Sequence, residues 1–216
     1  MYHVIAQPPA SSPYPDLYVP PDQFALQMRA LRNAGYHAVT LYQVWQYWHD
    51  HGKLPIHPVV LSFDDGYLSQ FSVAARLLRR FHWPGVLNLA VIHLHEGTYG
   101  LDAGRVQKMI AWGWEVDSHT IHHIEVTGLS TAALDSEVAG SRAILRREFH
   151  IPVRFFCYPS GVYDQAAIDE VRSAGYLGAT TTQPGLASPG QNPYTLNRIR
   201  INPGVTAAEF LDQLHG

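Results

Sequence analysis

Short apolar runs and stretches of helical period alternate about seven times along this chain, the pattern of βα units wound around a parallel sheet. Phe24, Met28 and Leu31 fall at i, i+4 and i+7, and Gly35 closes that helix. Residues 38–41 read as a strand, and 42–51 as a helix stopping at Gly52. Residues 58–63 form a continuous apolar strand, the kind buried on both faces. Further helices are predicted over 72–81, 102–112, 130–149, 164–174 and 206–214, and further strands over 85–92, 114–118, 153–158, 179–181 and 196–201. The first twenty residues carry Pro8, Pro9, Pro13, Pro15 and Pro20 and read as a loop. No composition break divides the chain. The expectation is one domain over residues 1–216, an α/β barrel of the (β/α) type short of eight units.

Composition narrows the function. Charged residues are 15% of the chain and the net charge is −3, which excludes the basic surface that neutralises nucleic-acid phosphates. The single Cys157 excludes an intrachain disulfide and a thiolate-rich metal site. No run reaches ~18 apolar residues, so no membrane span is expected. The start, Met1-Tyr2-His3-Val4, lacks the basic and apolar regions of a leader peptide. Thirteen histidines nearly equal the 15 Lys+Arg, and histidine is the commonest metal ligand.

In parallel α/β proteins, ligands bind at the carboxyl ends of strands. Past 58–63 stand Asp64, Asp65 and Gly66; past 114–118 stands His119-Thr120-Ile121-His122-His123; past 153–158 stands Pro159-Ser160-Gly161. Asp-Gly alone is a turn signal. Adjacent carboxylates repel, however, unless a cation or a proton relieves them. His119 and His123 are spaced to converge on one point. With Asp65 they make three protein ligands and an open position, the pattern of catalytic zinc. The remaining histidines lack partners in the sequence. His3 and His93 sit nearest predicted strands; His95 and His215 are among the rest. Trp112 and Trp114 read either as core or as a stacking wall for a sugar ring.

Ser62-Phe63-Asp64-Asp65-Gly66 and the His119–His123 segment are similar to the first two motifs of the polysaccharide deacetylase family, the NodB-homology carbohydrate esterases. Tyr158-Pro159-Ser160-Gly161 resembles the third motif of one branch. Met1-Tyr2-His3 and Arg198-Ile199-Arg200-Ile201 also look like that branch, which contains deacetylases of poly-N-acetylglucosamine. The resemblance implies a distorted (β/α) barrel with fewer than eight regular units. It implies Asp64 as general base and the backbone N–H of Ser160 as an oxyanion donor. It implies Asp65, His119 and His123 as ligands of a divalent metal: zinc foremost, with cobalt, nickel or iron as alternatives. Tyr158 and Trp114 are the candidate substrate-binding residues. The implied reaction is metal-dependent removal of N-acetyl groups from an amino-sugar polysaccharide, releasing acetate. The alternatives are O-acetyl ester cleavage on a glycan such as xylan, and glycan binding without catalysis. A glycan substrate, a monomeric state and an extracellular or envelope location complete the expectation.

Two departures from the family pattern stand out. Cys157 occupies the place where many members carry an Arg that orients the base, with Arg154 three residues earlier. The late Leu196-Asn197-Arg198 lacks the histidine that serves many members as general acid, and 175–183 holds no Asp. The acid is therefore unassigned, with His122 and His3 open to test.

Overall fold

The computed structural model describes residues 1–94 and 99–214. His95 and His215 lie outside the described residues. Five parallel strands form the main sheet in the order β3 (Ser62–Asp65), β4 (Val86–Leu89), β5 (Glu115–Ser118), β6 (Phe155–Cys157) and β7 (Gly178–Thr180). A separate parallel pair joins β1 (His37–Val39) to β2 (Pro58–Val60). The continuous strand expected over 58–63 is thus two strands with different partners, broken at Leu61. Only the second is buried along its whole length, and it runs on through both aspartates.

Helices return between the strands. They are α1 (Pro21–Asn33), α2 (Leu41–His49), α3 (Arg76–Arg80), α4 (Ala103–Ala111), α5 (Thr131–Asp135), α6 (Ser141–Phe149), α7 (Gln165–Ser173) and α8 (Ala207–Asp212). Their starts were written locally: Thr40, Asp102, Ser130, Asp164 and Thr206 each accept a backbone N–H at a helix N-terminus. π-Helical segments Gln70–Ala75 and Ser136–Gly140 overlap the start of the helix predicted over 72–81 and interrupt the one predicted over 130–149. Such segments often mark functional sites.

The chain's two ends complete the ring. Tyr2 bridges Phe63 in parallel, with Tyr2 N donating to Ser62 O and Asp64 N to Tyr2 O, both at 2.9 Å. Leu196 bridges Thr180, and Ile201 N donates to Met1 O at 3.1 Å. Residues 1–4 and 196–201 therefore close the gap between β3 and β7. The expected strand over 196–201 is not regular, because its amides divide among three partners: Ala179, Gln183 and Met1. The opening residues, expected as a loop, are part of the barrel for the same reason.

Phe63, Tyr2 and Phe24 pack together on the helix side of the sheet, Tyr2 stacked on Phe63 at 5.5 Å between centroids. A second apolar cluster of Leu41, Val86, Phe155 and Leu196, backed by Trp45 and Trp48 of α2, closes the end of the barrel away from the strand carboxyl termini.

Candidate active site

The three strand ends do converge. Asp65 Oδ1 lies 3.3 Å from His119 Nε2 and 3.0 Å from His123 Nε2. His119 is buried and His123 partly open to solvent. His119 Nδ1 sits 2.7 Å from Cys157 O, and a carbonyl only accepts, so Nδ1 carries the proton. In the neutral ring Nε2 then points a lone pair at a buried carboxylate oxygen that has no hydrogen-bond partner. Acceptors facing each other are relieved by a cation or a proton between them. The donor set of one carboxylate and two imidazoles suits a divalent ion, and the Cys157 carbonyl fixes the tautomer as outer partners of metal-ligating histidines do. The ligand atoms all lie within 4.8 Å of one another.

Burial would raise the Asp65 pKa, but the imidazoles of His119 and His123 beside it pull it well below the carboxylate range. Burial would lower the His119 pKa, yet Cys157 and Asp65 outweigh it and raise it.

Local backbone makes this convergence possible. Asp65, Thr120, His123 and Ser160 are non-glycine residues with φ of +80°, +68°, +56° and +56°. Such conformations cost of order 1–3 kcal/mol each and persist where surroundings enforce them. Gly66 follows Asp65 at φ +103°, and a Cβ there would lie 2.4 Å from Leu89 Cδ1. Thr120 Oγ1 donates to His119 O and accepts from His123 N, folding the five-residue segment into a loop. Glu137, buried in the second π segment, holds that loop from below. Its Oε2 accepts the amides of Ile121 and His122 at 2.9 and 3.0 Å, and its Oε1 meets His122 Nδ1 at 2.6 Å. His122 therefore turns to Glu137 and solvent and away from Asp64.

Asp64 sits beside this cluster, 2% exposed. Its Oδ1 accepts from Asn88 Nδ2 and Arg198 Nη1, both at 2.7 Å. Its Oδ2 faces His3 Nε2 at 3.8 Å. Burial would raise the Asp64 pKa; Arg198 first, then His3, reverse this and hold it far below the ordinary value. Arg198 is itself buried, with Nε donating to Thr181 O at 2.8 Å and Nη2 reaching Cys157 Sγ at 3.1 Å. Gln70, in the first π segment, donates to His3 O and Asp64 O and so ties residues 1–4 to β3.

Several expectations change. Arg154 does not reach Asp64; its guanidinium lies 3.8 Å over the Tyr42 ring. The guanidinium beside Asp64 comes from Arg198, a position read in the sequence as part of the 198–201 likeness to one branch and as the place of an absent histidine. Trp114 precedes β5, far from the carboxyl ends of the strands. It is 4% exposed and packs on Phe63 at 5.0 Å. Tyr158 is fully buried, edge-on to Phe156. Neither offers a face to a sugar, and both belong to the core. Ser160 lies exposed at the tip of the turn after β6.

Sequence reasoning passed over Asn88, Gln70 and Glu137, and gave Arg198 no role beside Asp64. Arg198 is buried close to Leu196, and a buried guanidinium requires a carboxylate.

Comparisons with known proteins find relatives of the whole chain. The polysaccharide deacetylase family model matches residues 51–179. YxkH of Bacillus subtilis is 29% identical over 213 residues, covering 97% of this chain and 73% of that protein. A poly-beta-1,6-N-acetyl-D-glucosamine N-deacetylase of Staphylococcus aureus is 22% identical over 193 residues, covering 83% of this chain and 66% of that protein. The solved structure of the Streptococcus pyogenes deacetylase PplD in complex with acetate superposes with a TM-score of 0.90 at 24% identity, covering 99% of this chain and 95% of that one.

Proposed function

The chain belongs to the polysaccharide deacetylase family, and from that premise we propose that it removes N-acetyl groups from an N-acetylglucosamine-type polysaccharide and releases acetate. The observation that carries the proposal is a buried, ionised Asp64 set between the Asp65–His119–His123 cluster and His3. A base on one side and an imidazole on the other are what amide hydrolysis needs, because the amine leaves only when protonated.

Asp65, His119 and His123 would hold a divalent cation, zinc foremost. When bound, such an ion supplies Lewis-acid polarisation of the acetyl carbonyl and acidifies the attacking water. Asp64 takes the proton of that water. Arg198 and Asn88 occupy its Oδ1, which leaves Oδ2 for the proton. His3, which faces Asp64 Oδ2 at 3.8 Å, takes up the proton that Asp64 has received from the water and passes it to the departing amine. Burial lowers the pKa of His3, so its ring does not retain that proton. The Ser160 amide, in its turn after β6, donates to the developing oxyanion. The substrate class fits work at the cell envelope or outside the cell, and the sheet closed by residues 1–4 and 196–201 fits one domain over residues 1–216.

Acetate release from N-acetylglucosamine oligomers, with and without chelator, tests the reading. Chelator-sensitive release is expected from the wild type. Asp64→Asn should keep the metal and lose turnover, while His123→Ala should lose metal. Release that survives chelation would refute the metal role. Release from acetylated xylan but not from the oligomers would move the activity to O-acetyl esters.

A further inference from the structure

The interior of a small (β/α) barrel is normally filled by side chains. In this chain a half-open cavity of about 440 Å³ reaches in between α2, the 185–189 loop and residues 196–201. Leu41, Val60, Val86 and Leu196 make its walls, and none of His3, Asp64, Asp65, His119 or His123 lines it. One end is polar, formed by Ser62, Asn88 and Arg198, the side chains grouped around Asp64. Two large apolar side chains that line the cavity stand in solvent: Tyr47 at 53% exposed and Leu186 at 50%. They mark its mouth, between α2 and the 185–189 loop.

We propose that this cavity is a second binding site, for one uncharged, mainly aliphatic or aromatic molecule with a single hydrogen-bonding group. The volume sets the size, at about fifteen non-hydrogen atoms if each takes ~30 Å³. The walls set the apolar character. The absence of net charge follows from Arg198, whose guanidinium is already balanced by Asp64. The hydrogen-bonding group follows from the polar end, where Ser62, Asn88 and Arg198 line the cavity. Exposed Tyr47 and Leu186 at the mouth are apolar surface of the kind that marks ligand entrances.

The test uses the fluorescent amine N-phenyl-1-naphthylamine as probe and 1-decanol as competitor. Both readouts are independent of deacetylation, so the site can fail while the enzyme reading stands, and the reverse. The wild type should bind the probe saturably at one site, and 1-decanol should displace it. Val86→Phe fills the cavity from β4, and Leu186→Asp puts a charge at the mouth on an exposed loop. Each should weaken probe binding by at least about tenfold, with circular dichroism unchanged. If Val86→Phe fails to fold, Leu186→Asp alone decides. Absence of saturable binding, or binding untouched by the folded variants, would overturn the site.

Discussion

Arg198 Nη1 donates to Asp64 Oδ1 at 2.7 Å, joining residues 134 positions apart. This contact holds a carboxylate ionised inside the barrel, where burial alone would protonate it. Arg198→Met should therefore raise the Asp64 pKa. The acid limb of the pH dependence of kcat/KM should move to higher pH, and kcat should fall by about 10²-fold or more. Arg198→Lys should not restore it, because one ammonium cannot reach Thr181 O, Ser62 and Asp64 as the planar fork does. An unmoved acid limb in Arg198→Met would show that Asp64 is not the group that titrates.

His3 faces the other carboxylate oxygen. His3→Gln should lower kcat by about 10²–10⁴-fold and leave metal stoichiometry unchanged, because His3 is outside the Asp65 cluster. Metal analysis beside steady-state kinetics separates this from loss of the ion. A variant retaining full turnover would end the assignment of His3 as proton donor.

Glu137 acts on the cluster through the loop it anchors. Glu137→Ala leaves the amides of Ile121 and His122 without their acceptor and should weaken metal binding roughly 10–100-fold. His122→Ala, which keeps both amide bonds, should weaken it less. Calorimetric titration of zinc into the apoprotein measures both.

Glu115 carries a pH dependence of stability. Burial raises its pKa from 4.5 to about 7, against an amide hydrogen bond from Tyr42. Across that window the native state holds a proton that the unfolded chain has lost. This group therefore makes stability fall as pH rises from about 4.5 to 7. Glu115→Gln keeps an oxygen for the Tyr42 amide and has no proton to lose. The difference in urea midpoints between the two proteins should widen in the variant's favour over that range. A constant difference would contradict the shift.

The fold and the core of the site were legible where local signals and tertiary demands agree. The apolar strands, their helical returns and the caps at Asp102, Ser130, Asp164 and Thr206 are short-range features. Asp64, Asp65, His119 and His123 were legible because strand ends and ligand spacing are also short-range. Arg198, Asn88, Gln70 and Glu137 were not, since each is defined by a partner on another element. The two π segments escaped for the same reason: an extra residue in a helical turn leaves no mark on periodicity, yet it accompanies the buried side chains of Gln70 and Glu137. Trp114 and Tyr158 were misplaced because an aromatic beside a motif reads alike as wall or core; burial separated them.

Closure of the ring by residues 1–4 and 196–201 has a consequence during synthesis. His3 is made before β3, β4 and β5, and Arg198 after them. Until the late segment emerges, β3 and β7 present open edges, and Asp64 has no guanidinium to keep it charged. The nascent chain thus carries Asp65, His119 and His123 before Asp64 has its guanidinium partner, and the Asp64 carboxylate gains its charge partner inside the barrel only when the segment with Arg198 docks.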